Sequence, residues 1–181
     1  MLLCSGFLWG CYLHAASSQK PGVLSYKIIE QGNWSAYGSR LRISSPSYQI
    51  FADRTNWASY WAKEYKRQLP EVDFKKHFVI YITLGQQKTG GYSLSIASVV
   101  QRANQLNDKN IVIFLEIEEP GPGQGVDLGE TNPYLIAQIE SPIFFNKKPK
   151  SSRWNIRFVR QINGQHLPVE MIVMPPEIPK E

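Results

Sequence analysis

Alternating apolar and polar residues run through much of this chain and predict a domain built mainly from β-strands. Residues 111–117 carry isoleucine or leucine at every second position, which is the period of a strand with one buried face. Residues 78–82 are apolar without interruption, so we expect a central strand that is covered on both faces. The alternation resumes at residues 92–96 and predicts the strand that follows.

One segment, residues 53–68, has the period of an amphipathic helix instead. Either Asp53 or Thr55 can accept hydrogen bonds from the free amide groups at the start of the helix, and Leu69-Pro70 ends it. Four aromatic residues share one predicted face: Trp57, Tyr60, Trp61 and Tyr65. Such a stripe is typical of a helix that packs on a sheet, because burying each ring contributes about 2 kcal/mol.

Glycine-rich turns separate the predicted strands. We interpret Gly90-Gly91 as a hairpin tip between residues 78–84 and 92–100; the loop is either a plain turn or a surface presented to a partner. Gln31-Gly32-Asn33 predicts another turn, and Asn163-Gly164 is a strong hairpin signal before a returning strand at residues 167–174. Together the elements predict an α+β or mainly β fold, a predominantly antiparallel sheet with one helix packed on it.

The first 18 residues contain no Lys, Arg, Asp or Glu and carry a short apolar core, which predicts an export signal. Two endings are open. Cys11 follows Leu8-Trp9-Gly10 and would be the lipidated residue of a lipoprotein signal, or a peptidase cleaves near Ala16. A buried amino-terminal strand is the remaining alternative. We therefore expect an exported protein of the cell envelope, either lipid-anchored through Cys11 or periplasmic or secreted.

Candidate chemistry is sparse. The formal charge is +5, but Lys and Arg form no long block, so we predict no nucleic-acid partner. Both cysteines, Cys4 and Cys11, lie in the predicted signal, and no spacing of His, Cys, Asp or Glu indicates a metal site. We predict no cofactor and no catalytic residue. Glu116, Glu118 and Glu119 are interpreted as a solvated strand edge rather than as an acid–base pair.

Several short motifs, in order, resemble the PrcB family of exported bacterial proteins. The most specific is Gly85-Gln86-Gln87-Lys88-Thr89-Gly90-Gly91-Tyr92. Residues 57–61 are similar to that family's tryptophan-bearing helix, residues 72–74 to the approach to its central strand, and residues 119–122 and 131–134 to its later loop and strand. The resemblance implies a PrcB-like domain at 23–145, after a signal at 1–18 and a tether at 19–22. Residues 146–181 would then be a carboxy-terminal β-hairpin extension and tail.

The family resemblance implies a non-catalytic protein that binds another protein, an accessory subunit of a surface protease complex. The expected binding residues are Lys88, Thr89, Gly90, Gly91, Tyr92, Gly121 and Gly123. Residues 88–92 and 121–125 are also similar to two loops of chagasin-type protease inhibitors, which makes an inhibitor the alternative. A third hypothesis is a hydrolase that uses His77 or His166, but no nucleophile motif in the sequence supports it.

Overall fold

The computed structural model describes residues 22–35, 43–103, 109–140 and 154–173. In that part of the chain the fold is mainly β with a single helix, as the sequence predicted. The elements are β1 (Gly22–Val23), β2 (Tyr26–Ser35), β3 (Ser47–Phe51), α1 (Arg54–Glu64), β4 (His77–Thr83), β5 (Ser93–Ala103), β6 (Lys109–Glu118), β7 (Thr131–Glu140), β8 (Trp154–Ile162) and β9 (Gln165–Val173). The predicted signal, its Cys11 and Ala16, and most of the predicted strand at 37–44 lie outside the described residues.

Two sheets face each other across one apolar core. The larger has the strand order β1-β5-β6-β8-β9, and the smaller has the order β2-β7-β4-β3. All pairings are antiparallel except that between β6 and β8. The predicted alternation of residues 111–117 is confirmed, because Ile111, Ile113, Leu115 and Ile117 all point into this core with Phe158 of β8.

The central strand β4 is covered on both faces, as its unbroken apolar run predicted. Phe78, Ile80 and Ile82 face the core between the sheets, whereas Val79 and Tyr81 face α1. The helix buries Trp57 and Trp61 against that second face, so the predicted aromatic stripe packs on a sheet. Burial of this aromatic layer raises the pKa of Tyr60, Tyr65 and Tyr81.

The helix begins where the sequence predicted and ends earlier. Asp53 is the N-cap, and its carboxylate accepts a hydrogen bond of 2.8 Å from the amide of Asn56. The prediction of a helix to residue 68 is wrong, because α1 stops at Glu64 and Lys66 has a φ of +47°. The indole of Trp61 donates to the carbonyl oxygens of Arg67 and Gln68, which holds the chain in its non-helical path.

Two predicted turns are wrong. β4 and β5 lie in different sheets, so the Gly90-Gly91 segment is a crossover between sheets and not a hairpin. Residues 31–33 are not a turn either, because β2 continues through them to Ser35. Gly32 is instead needed for space: a Cβ there would lie 3.3 Å from the ring of Tyr134 on the neighbouring strand.

The predicted carboxy-terminal hairpin is confirmed. Asn163 and Gly164 have φ values of +46° and +80°, as a tight two-residue turn requires, and β8 pairs antiparallel with β9. β8 also pairs in parallel with β6 over nine residues. Ile156 and Phe158 enter the core that β4 and β7 share. The boundary at residue 146 stays a prediction, while the hairpin itself forms part of the larger sheet.

One corner between the sheets is closed by side chains. β1 pairs with β5 only at residues 100 and 101, which leaves the carbonyl groups of Tyr92, Leu94 and Ile96 beyond it. Three residues on β2 reach across: Asn33 donates to Tyr92 (3.3 Å), Gln31 to Leu94 (2.8 Å) and Tyr26 to Ile96 (2.7 Å). These bonds join β2, the edge strand of the smaller sheet, to the part of β5 and its approach that β1 leaves uncovered.

Candidate functional site

The two glycine-rich segments meet at one end of the molecule. The crossover loop, residues 84–92, joins β4 to β5, and the long loop, residues 119–130, joins β6 to β7. The amide of Gly90 donates a hydrogen bond of 2.7 Å to the carbonyl oxygen of Asp127. The turn at Asn163-Gly164 adjoins them, since the side chain of Asn163 accepts from the amide of Glu119 at 2.9 Å. We call these three segments the loop end.

Backbone hydrogen bonds hold the crossover loop in place along most of its length. The amide of Leu84 donates to Pro133 (3.0 Å) and that of Gln86 to Ile43 (2.9 Å). Gln87 and Thr131 exchange two further bonds of 2.7 and 3.1 Å. The pairing of β4 with β7 is thereby continued into the loop, so the loop has a fixed conformation.

A buried polar network fixes the start of the same loop. The hydroxyl of Thr83, which is fully buried, donates to the side-chain oxygen of Asn132 and accepts from the amide of Gly85 at 3.0 Å. Gly85 has a φ of +75°, and a Cβ there would lie 2.5 Å from the carbonyl carbon of Ser45. Only glycine fits this position without moving a backbone.

The predicted binding residues of the crossover loop differ in exposure. Lys88 and Gly91 are exposed, and Thr89 and Tyr92 are half-buried. Gly90 is buried, and a Cβ on it would lie 3.2 Å from Asp127. Gly91 has a φ of +84°, and a Cβ there would lie 2.7 Å from Val126 and 3.1 Å from Pro120. Both glycines therefore let the two loops approach each other.

The predicted residues of the long loop lie at its exposed tip. Gly121 and Gly123 are exposed, and the amide of Gly121 donates to the side chain of Gln124 at 3.0 Å. Gly123 has a φ of +78°, and no atom lies within 4 Å of the position that a Cβ would take there. The structure thus brings Gly90 and Gly91 against the long loop, whereas the position of a Cβ on Gly123 is open space.

An open groove of about 400 Å³ lies in the loop end, between the glycine segments and the 163–164 turn. Its lining includes Gly91, Asn163 and three carboxylate side chains, those of Glu116, Glu118 and Glu119. The three carboxylates are exposed, and the hydroxyl of Ser93 donates to Glu118 at 3.0 Å. The groove is acidic although the whole chain carries a formal charge of +5.

Sequence reasoning missed one prominent residue of this surface. Leu128 is 83% exposed, which is unusual for a large apolar side chain in this structure. It stands between Asp127 and Gly129 in the long loop. The signal in the sequence was a single leucine among turn-forming residues, which periodicity does not detect because the segment has no period.

The other candidate groups do not assemble into a reactive site in the described part of the chain. The ring of His77 lies 3.3 Å from the carbonyl oxygen of Asp73, at the start of β4. The side chain of His166 lies outside the described residues. Within the described ranges no group of three or more His, Cys, Asp or Glu side chains could hold a metal ion. No helix there is long and apolar enough to span a membrane.

Fold and site together define a two-sheet β domain that carries a fixed, acidic surface of loops at one end. Residues 78–140, from β4 to the end of β7, match the family model described as PrcB C-terminal. Over this range the chain is similar to the PrcB family, and the resemblance predicted from the sequence is confirmed there. The matched range contains both loops that meet at the loop end. Comparison with curated proteins and with solved structures finds no match.

Proposed function

We propose that the protein is a non-catalytic accessory subunit that binds another protein, an envelope protease, through the loop end. The PrcB C-terminal domain supports association with a protease complex. The observation that carries the proposal is the hydrogen bond between Gly90 and Asp127, which joins the two loops into one surface. A surface that is already ordered loses little conformational freedom on binding, and this favours recognition.

The proposal is tested by capture of the partner with a tagged full chain, cross-linked in the native envelope. The test variant is Glu119→Lys, because this side chain is exposed and lines the acidic groove, whose negative charge the substitution lowers. Glu71→Lys is the matched control, since it makes the same charge change on an exposed side chain between α1 and β4, outside the three segments of the loop end. Gly90 and Gly91 are left intact because substitution there would disturb loop contacts.

We expect the wild type and the Glu71→Lys chain to recover the same protease, and the Glu119→Lys chain to recover several-fold less of it. Urea denaturation of all three chains checks that they are equally folded. Repeated recovery of no protease and no other stable partner with the wild type would contradict the proposal.

The alternative function is inhibition of a cysteine protease, in which the two glycine loops would enter the active-site cleft. The specific observation in its favour is that the crossover loop and the long loop lie side by side at one end. An inhibition assay against papain tests it directly. An inhibitor slows papain in proportion to its concentration, whereas unchanged papain activity at high micromolar concentration removes this alternative.

We also propose that the protein is exported to the cell envelope, anchored by a lipid on Cys11 or released after cleavage near Ala16. The apolar amino-terminal segment without charged residues supports export. Metabolic labelling with a radioactive fatty acid distinguishes the two routes. Label that is lost in Cys11→Ser supports the lipid anchor, and an unlabelled mature chain beginning near residue 17 supports cleavage.

A further inference from the structure

Leu128 is the most exposed large apolar residue of the described ranges. Its side chain is 83% exposed, and Val23 and Tyr26 are the other exposed large apolar residues of the described ranges. Val23 lies in the short edge strand β1, and the hydroxyl of Tyr26 is bonded to Ile96. Leu128 therefore stands apart as an apolar side chain directed to solvent from a loop.

The backbone that carries Leu128 is held on both sides. On one side the carbonyl oxygen of Asp127 accepts from Gly90 at 2.7 Å, and its carboxylate accepts from the amide of Gly129 at 3.0 Å. On the other side Thr131 exchanges backbone bonds with Gln87 and donates its hydroxyl to Thr89. An apolar side chain on such a backbone loses only its rotamer freedom when a partner covers it.

The surroundings of Leu128 are acidic. Asp127 and Glu130 flank it in sequence and are both exposed. The groove with Glu116, Glu118 and Glu119 opens at the same end, because Gly91 lines it and also approaches Pro120 and Val126 of the long loop. An apolar centre with a charged rim is the usual anatomy of a protein–protein contact. The carboxylates would repel anionic lipid headgroups, so a protein fits this surface better than a membrane does.

We propose that Leu128 is the anchor of the loop end, and that it enters a leucine-sized apolar socket rimmed by Lys and Arg on the partner protein. This inference rests on the proposed binding function and adds to it the residue and the partner chemistry. The probe is the protease that the wild-type chain recovers, purified and titrated against full-length variants. Leu128→Ser removes the anchor, Leu128→Met restores an apolar side chain of similar volume, and Val23→Ser is the matched control at another exposed apolar position (78% exposed).

We expect Leu128→Ser to weaken binding about 30-fold or more, as a hot-spot residue does, and Leu128→Met to stay within about 3-fold of the wild type. Val23→Ser should bind as the wild type does. Glu130→Gln should bind more weakly and with a smaller dependence on salt, since it removes one charge from the rim. Equal urea midpoints show that lost binding does not reflect lost folding.

The outcomes separate this inference from the function on which it rests. Unchanged binding by Leu128→Ser, with the protease still captured, overturns the anchor and leaves the proposed function standing. Failure of the wild type to capture any protein removes both. Flotation of the chain with vesicles of phosphatidylcholine and phosphatidylglycerol, lost in Leu128→Ser, would assign Leu128 to a lipid surface and overturn the protein socket. Leucine-dependent dimerisation in light scattering would overturn it in favour of a second copy.

Discussion

Single glycines decide how closely the segments of the loop end approach one another, and they do so for different reasons. Gly85 needs both a positive φ and empty space, because the backbone of Ser45 lies where a Cβ would be. Gly123 has nearly the same φ but no neighbour within 4 Å. Gly90 needs space against Asp127 and has no positive φ. The sequence indicates that glycine is needed at such positions, but not which neighbour requires it.

We predict that Gly85→Ala lowers the free energy of unfolding by about 2 kcal/mol or more, because the new methyl group meets fixed backbone as well as an unfavourable φ. Gly123→Ala is the matched control and should cost only about 1 kcal/mol, the strain of the positive φ alone. Urea denaturation of the two variants measures both values. Equal losses would show that the approach of Ser45 to Gly85 is not a rigid constraint.

At the scale of elements, the sequence predicted β4 and α1 because their apolar patterns are local. The run at 78–82 and the aromatic stripe at 57–65 each record a burial pattern within one segment. The hairpin at Gly90-Gly91 was wrong because turn residues show that the chain changes direction, not which sheet the next strand joins. The loop end could not be predicted for the same reason, because its contact between Gly90 and Asp127 joins residues 37 positions apart.

The aromatic layer beneath α1 predicts a sensitivity to alkali. Burial, assisted by Tyr81 and Glu64, raises the pKa of Tyr60 above its ordinary value near 10. The folded chain therefore keeps Tyr60 neutral at a pH where the unfolded chain ionises it and binds fewer protons. Stability that is fully present below pH 10 is consequently lost as the pH rises above 10.

We expect Tyr60→Phe to reduce this loss by up to about 1 kcal/mol between pH 9 and pH 11, because one group that ionises only on unfolding is gone. Urea denaturation at the two pH values measures it. Ile80→Val, which perturbs the core without removing a phenol, should keep the wild-type dependence on pH. A Tyr60→Phe chain as sensitive to alkali as the wild type would show that Tyr60 ionises equally in both states.

At the scale of the whole molecule, the carboxy-terminal hairpin is part of the larger sheet, although it lies outside the range that matches the PrcB family model. The sequence predicted its strands and its turn, because Asn163-Gly164 is a local signal. The parallel pairing between β6 and β8 had no such signal, because it joins distant segments. That pairing brings Ile156 and Phe158, both fully buried, into the core.

We predict that a chain ending at residue 153 loses cooperative unfolding, since it lacks β8 and β9 and exposes the whole edge of β6. A chain ending at residue 173, which keeps β9, is the control and should unfold cooperatively. Circular dichroism during thermal unfolding distinguishes the two. A sharp transition in the shorter chain would mean that residues 22–140 fold without the hairpin.

The hydrogen bonds that Asn33, Gln31 and Tyr26 make to the β5 side of the larger sheet also affect aggregation. Carbonyl groups that already accept a hydrogen bond from a side chain offer an approaching polypeptide no template for extending the sheet. This part of β5 is thereby protected against adding strands from other chains and growing into fibrils. Selective recognition is then a task for the loops rather than for a sheet edge.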